Sequence, residues 1–257
     1  MRKKWIENIK FIALILLLLS TFGDVCPKKT QVVDDEYPSW DTDGDNISNA
    51  VETNSANSYL GLDPNTPNAN PSIAHGYPCQ SQGGGYIEKA FNLPNQGTGY
   101  YHYNPDKGEP LIDTDDWGVL ALINMIEGAG RLWVWNEYSP PRIGVGDLSK
   151  GDQYTQQFGG YFPPHSCHQN GLEVDIRYVR NDDLDSALNI AWYPEYFDEF
   201  ATEILIRYLI RNAHIELIYV DTLHSSLNHI GYSFILHLSG HSDHFHVRII
   251  DPDGTTN

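Results

Sequence analysis

His241-Ser242-Asp243-His244-Phe245-His246-Val247-Arg248 places three histidines in one short segment near the C-terminus. Val247, Ile249 and Ile250 alternate with the histidine run as a strand does. On a strand, His244 and His246 project from one face. Far upstream, His165-Ser166-Cys167-His168-Gln169-Asn170-Gly171-Leu172-Glu173-Val174-Asp175 adds two histidines and two carboxylates, and Leu172 to Ile176 alternates in the same way. Imidazole with carboxylate is the ligand set of a catalytic zinc, which takes three protein groups and keeps one position open for water. The two segments predict a zinc hydrolase in which one strand histidine binds metal and the other faces the same water.

Working outward, the mixture of strands and helices predicts an α+β domain, a mainly antiparallel β-sheet flanked by helices. Thr114 or Asp113 is expected to cap a helix over about 115–127, with Val119, Leu120, Ile123 and Ile126 as its buried stripe. Gly128 and Gly130 are expected to end it. Leu132-Trp133-Val134-Trp135 and Arg142-Ile143-Gly144-Val145 read as strands separated by a Pro140-Pro141 turn. Phe197 to Leu209 reads as a helix apolar on most faces, and therefore buried. Glu216 to Val220 and His244 to Ile250 read as further strands.

The N-terminus carries different signals. Arg2, Lys3 and Lys4 precede an unbroken apolar run from Phe11 to Leu19, of signal-peptide length and too short to span a bilayer comfortably. Residues 1–23 are therefore expected to be a signal peptide cleaved near Thr21-Phe22-Gly23, with a short membrane anchor as the alternative. The expected location is periplasmic or extracellular. Gly23-Asp24-Val25 is a poor context for lipid modification of Cys26, so lipoprotein anchoring is disfavoured. Export permits disulfides, and of Cys26, Cys79 and Cys167 the favoured pair is Cys26 with Cys79, leaving Cys167 as a small buried residue beside the site.

Residues 24–75 read as an acidic linker, and residues 76–257 as the zinc domain, its start punctuated by Gly83-Gly84-Gly85. Within the linker, Asp41-Thr42-Asp43-Gly44-Asp45-Asn46-Ile47-Ser48-Asn49-Ala50-Val51-Glu52 has carboxylates at positions 1, 3 and 5, an apolar residue at 7 and Glu at 12. That spacing wraps hard oxygen ligands round one calcium ion, so Asp41, Asp43, Asp45, Ile47 and Glu52 are its candidate ligands. Asn46 stands where a calcium loop usually has Gly and tolerates the left-handed turn. The alternative is a plain solvated linker. The segment resembles a thrombospondin type 3 calcium repeat, with Leu62-Asp63-Pro64-Asn65-Thr66-Pro67 as the tail of such a repeat.

The chain has 257 residues and a formal net charge of −18. That charge argues against nucleic acid, whose phosphates require basic surface, and against docking on anionic lipid. An aromatic content of 12%, led by tyrosine, suits a folded protein with an amphipathic cleft.

His168, Asp175 and the His244-Phe245-His246 triplet resemble the signature of the zinc peptidases named for lysostaphin, D-Ala-D-Ala peptidases and the hedgehog fold. Within that group, Gly146-Asp147-Leu148-Ser149, Gly159-Gly160, His165, His168 to Ile176, and His241 to Arg248 are most similar to the penicillin-insensitive murein endopeptidases. The resemblance covers residues 95–251, roughly. It implies a hedgehog/D-Ala-D-Ala peptidase-like fold, with His168, Asp175 and His246 holding zinc. It also implies His244 beside the water as base or oxyanion partner, and His165 and His241 lining the cleft. The implied partner is the peptide stem of peptidoglycan, whose carboxylates Arg142, Arg177 or Arg248 would pair with. Gln169 and Asn170 would orient ligands or substrate, or cap a helix. Some members carry an Asp-x-x-His pair between the two motifs; the stretch from Arg177 to Tyr196 has no histidine, and Asp221 with His224 lies too far downstream, which puts a second zinc in doubt. The implied reaction is zinc-dependent D,D-endopeptidase cleavage of peptidoglycan crosslinks. Its alternatives are D-Ala-D-Ala carboxypeptidase or dipeptidase activity, or a non-catalytic wall-binding module.

Overall fold

The computed structural model describes residues 41–257 apart from Gly44, 69–71, 80–83, 104–114, 162, 164–165, 187, 224–226, 228–229 and 255–257. The expected signal peptide, Cys26, Asp113, Thr114, His165 and His224 lie outside the described residues. The described residues belong to the compact unit Trp40–Asn257.

The strands in chain order are β1 (Ile73–His75), β2 (Tyr86–Glu88), β3 (Phe91–Asn92), β4 (Gln96–Gly97), β5 (Tyr100–His102), β6 (Trp117–Gly118), β7 (Ile143–Val145), β8 (Gly151–Asp152), β9 (Gln157–Phe158), β10 (Glu173–Arg177), β11 (Ile215–Val220), β12 (Ile235–His237) and β13 (His244–Ile249). The helices are α1 (Asn49–Thr53), α2 (Leu120–Trp135) and α3 (Glu199–Asn212). The principal sheet has seven strands in the order β12-β11-β13-β10-β7-β5-β4. Its pairs are antiparallel except β11 with β12 and β5 with β7. The chain is thus mixed α+β with mostly antiparallel pairing, as its pattern predicts. Among the described residues, no helix is long and apolar enough to cross a membrane.

Helix α2 departs from expectation at both ends. It starts at Leu120, whose N–H donates to the Ser72 hydroxyl (2.6 Å), while Trp117 and Gly118 form β6 instead of a first turn. It then runs through Gly128 and Gly130 to Trp135, so Leu132–Trp135 is helix and not strand. The glycines are there for close approach. A Cβ on Gly130 would lie 2.2 Å from the Thr98 carbonyl, and one on Gly128 would lie 2.3 Å from the Asn212 side chain. Each glycine costs a helix roughly 1 kcal/mol against alanine. Here that cost is offset by seating α2 against the start of β5 and the end of α3. Trp133 closes the stripe, buried and donating its indole N–H to the Pro141 carbonyl (2.7 Å).

Helix α3 is one-sided, not apolar all round. Ala201, Thr202, Leu205, Ile206 and Leu209 are buried, while Phe200 on the other side is exposed. Asp198 caps it by accepting from the Ala201 N–H (2.9 Å).

The boundary expected at residue 76 is also displaced. Ile47, Val51 and Ala56 lie in the same apolar core as Phe91, Trp117 and Ile123. Asn92 N–H donates to the Asn57 side chain (2.7 Å), Asn57 donates back to the Asn92 carbonyl (3.0 Å), and Tyr59 packs on Phe158 (5.2 Å between ring centres). Ile47 just before α1, Val51 within it and Ala56 in the turn after it suffice to dock this polar segment.

Candidate metal centre

Strands β10 and β13 pair with Glu173 opposite Arg248, Asp175 opposite His246, and Arg177 opposite His244. Alternation sends Val174, Ile176, Phe245 and Val247 into the apolar core. It turns Glu173, Asp175, His244, His246 and Arg248 to the opposite face. The sheet therefore converts two distant sequence motifs into one polar row.

His168 joins this row from the loop ahead of β10. Nitrogen and oxygen donors of His168, Asp175 and His246 all lie within 4.8 Å of one another, and all three residues are buried. His168 Nε2 is 3.3 Å from Asp175 Oδ1, and His246 Nδ1 is 2.9 Å from the same oxygen. The far nitrogens have other partners. His168 Nδ1 is 2.8 Å from the Leu148 carbonyl, an acceptor, so this nitrogen carries the proton and Nε2 presents a lone pair. His246 Nε2 is 3.1 Å from Glu173 Oε1, which leaves Nδ1 turned to Asp175. Each imidazole is oriented by a carbonyl or carboxylate behind it, as metal-binding histidines are. The donor set could therefore hold a metal ion.

Glu173 is the residue that motif reading missed. It is fully buried, and its Oε1 also accepts from Arg248 Nε (2.7 Å). Its other oxygen accepts from the His168 backbone N–H. One carboxylate thus braces both histidines. Burial pushes the Glu173 carboxyl up, but the hydrogen bond and charge of His246, with His168 and Arg248, outweigh it and hold it at about 2. Burial likewise opposes ionisation of Asp175, and His168, His246 and His244 keep it well below the usual carboxylate range. Burial pushes His246 down, and the two carboxylates raise it to about 9. The signal for Glu173 was present: an acid two residues before Asp175 shares its face of a strand.

His168 has φ +65°, left-handed backbone that costs a non-glycine residue roughly 1 kcal/mol or more. The Ser149 hydroxyl donates to its carbonyl. Gln169 and Asn170 are buried and brace the same loop. Gln169 N–H donates to the Pro78 carbonyl (3.2 Å), its side-chain oxygen accepts from Gly84 N–H (3.1 Å), and Asn170 Nδ2 donates to the Gly76 carbonyl (3.1 Å). These contacts lay the 76–79 segment beside the His168 loop, and Cys79 bonds Cys167. The expected Cys26–Cys79 pair is thereby corrected: pairing follows the neighbours the fold provides.

His244 Nε2 is 3.6 Å from Asp175 Oδ2, while its Nδ1 is 2.8 Å from Asp243 Oδ1. Burial pushes the His244 pKa down; the Asp243 hydrogen bond and the Asp175 charge outweigh it, and the net shift is upward. His241 stands next to it, ring centres 5.1 Å apart, with its Nδ1 3.0 Å from the Leu238 carbonyl. Burial, ahead of the neighbouring imidazoles, lowers its pKa.

The three candidate arginines separate. Arg142 pairs with Asp185 (2.8 Å) and Arg248 with Glu173. Arg177 lies over the Tyr103 ring, 3.7 Å from its centre, and its Nε and Nη1 have no hydrogen-bond partner among the described residues. Asp221, considered for a second metal, accepts from Leu223 N–H (2.9 Å) in a turn after β11. A separate buried group, His102 with Asp115 and Asp116, has donors within 4.8 Å of one another.

The acidic loop brings Asp41, Asp43 and Asp45 together, with carboxylate oxygens within 4.8 Å of one another. Asn46 N–H donates to Asp41 (3.0 Å) and Ile47 N–H to Asp45 (2.7 Å), and Asn46 takes φ +69° as the pattern requires. Glu52 is 5% exposed, and its Oε2, like Asp43 Oδ2, has no hydrogen-bond partner among the described residues. Burial and then the charges of Asp43, Asp45 and Asp41 push the Glu52 carboxyl up to about 7.

No protein-family model matches this chain, and no curated protein matches it at a significant level.

Proposed function

We propose that this chain is an exported zinc peptidase of the hedgehog/D-Ala-D-Ala peptidase-like fold, a D,D-endopeptidase that hydrolyses peptide crosslinks of peptidoglycan. The observation that carries this reading is the buried His168, Asp175 and His246 trio, with each imidazole turned by a partner behind it. When bound, zinc supplies Lewis acidity and lowers the pKa of a water to about 7.

The chain's own groups supply the rest. His244 is backed by Asp243 at Nδ1, so its Nε2 takes a proton from the attacking water and returns it to the leaving amine. His241, whose pKa burial lowers, lines the same cleft and completes the donors around the scissile carbonyl. Arg177, on the same strand face as Asp175 and with buried Nε and Nη1 lacking partners among the described residues, is the arginine proposed to meet a substrate carboxylate. Because the chemistry uses no serine nucleophile, β-lactams do not acylate this site.

The acidic loop is proposed to hold calcium through Asp41, Asp43, Asp45, Glu52 and the Ile47 carbonyl. Its support is an all-oxygen donor set in which Glu52 and Asp43 keep buried oxygens without hydrogen-bond partners among the described residues.

The test is metal content of the purified protein together with its products from dimeric muropeptides. One zinc per chain and monomeric muropeptides are expected. Cleavage confined to short peptides ending in D-Ala-D-Ala moves the activity to carboxypeptidase or dipeptidase, and zinc with no cleavage at all leaves a wall-binding module.

A further inference from the structure

The Cys79–Cys167 disulfide joins residues 88 apart and ends one position before His168. His168 reaches the metal centre from a loop, with its backbone in the left-handed region. A residue in that conformation stays there only while its surroundings hold it. From one side it is held by Glu173, by the Ser149 hydroxyl and by the Leu148 carbonyl at Nδ1 (2.8 Å). On the other side Ser166 is exposed, and the covalent tie is Cys167.

The far end of the tie also meets the centre. Cys79 Sγ is 2.7 Å from Arg248 Nη2 and 3.4 Å from Glu173 Oε1. Arg248 and Glu173 are the pair that fixes the His246 ring. The disulfide therefore borders the supports of both histidines.

We propose that the Cys79–Cys167 disulfide is a positioning element of the metal centre, so that tight metal binding requires it to be formed. This rests on reading His168, Asp175 and His246 as a zinc site. It makes the centre complete only in an oxidising compartment, where such bonds persist. A reducing environment leaves the His168 loop without its covalent tie, held by hydrogen bonds alone.

The experiment uses the full chain and a water-soluble phosphine. The phosphine breaks the Sγ–Sγ bond, takes oxygen from water to become its oxide, and leaves two thiols. Zinc affinity is measured by competition with a chromophoric chelator before reduction, after it, and after reoxidation, with thermal melting recorded alongside. The expected result is at least a tenfold loss of affinity in the reduced chain, a retained cooperative melt, and recovery on reoxidation. The variant Cys79→Ala with Cys167→Ala should show the same loss; if it does not fold, the titration of the wild-type chain decides. Equal affinity in the two redox states overturns this inference alone. So does extra zinc taken up by the reduced chain, since Cys79, Cys167 and Glu173 have donors within 4.8 Å of one another. Failure of the oxidised chain to bind zinc overturns the zinc reading and this inference with it.

Discussion

Two parts of the molecule gather carboxylates round a small space, and they do it in opposite ways. On β10 and β13, strand pairing over 71 residues of sequence brings Asp175 to His246, and every donor has a partner behind it. In the acidic loop, Asp41, Asp43 and Asp45 come together through short-range bonds to their own backbone, and burial, with their charges added, pushes Glu52 up to about 7. The strand site opposes carboxylates with imidazoles and an arginine, so it is preorganised without an ion. The loop opposes carboxylates with carboxylates, a repulsion that a bound cation would relieve.

Predictions that break or sharpen this contrast run from the largest effect to the smallest. Replacing His168, Asp175 or His246 by Ala should abolish both bound zinc and hydrolysis, read by elemental analysis and muropeptide turnover. Full zinc occupancy in all three variants would end the ligand assignment. Next, His244→Ala should keep zinc and lower kcat by about 10²–10⁴-fold, as expected for a lost general acid–base group. Near-normal turnover with metal retained would move that role to His165 or His241. Glu173→Gln keeps the shape but weakens the brace on His246, and chelator competition should show metal affinity reduced by about 10–100-fold.

The acidic segment offers a sharper break. Because Ile47 and Val51 are core residues, Ile47→Ala should cost about 2–5 kcal/mol in a denaturant titration. A chain truncated at residue 76 should fail to fold, and calcium should raise the melting temperature of the full chain. A stable, active truncation would restore the segment to a linker.

The smallest effect concerns Glu127 on α2. Burial raises its pKa, and the Ser48 hydroxyl, Arg131 and Tyr100 only partly oppose this. A carboxyl raised in the folded state binds more protons folded than unfolded. Stability is therefore lost as pH climbs from the ordinary glutamate range through the raised value. Glu127→Gln should flatten that decline and leave activity unchanged; an unaltered slope in melts across that pH range would exclude this origin.

His168, Asp175, His244 and His246 were legible in the sequence because their chemistry is local to short motifs. So was the strand character of β10 and β13, because alternation is a property of neighbouring residues. The calcium-type spacing of Asp41 to Glu52 belongs to the same class. The mixed, mostly antiparallel sheet followed from these alternations.

What the tertiary structure alone decided depends on neighbours far along the chain. Gly128 and Gly130 look like stop signals until Thr98 and Asn212 are seen against them. Cys79 pairs with Cys167 because Pro78 and Gly76 hydrogen-bond to Gln169 and Asn170. Glu173 becomes the brace of two histidines only once β13 lies beside β10. The acidic segment reads as a linker by composition, yet Ile47, Val51, Ala56 and Ala74 find the common core. The physical reason is the same each time: residue chemistry and periodicity act over a few positions, whereas burial and hydrogen-bond partners are set by register and packing across the whole unit.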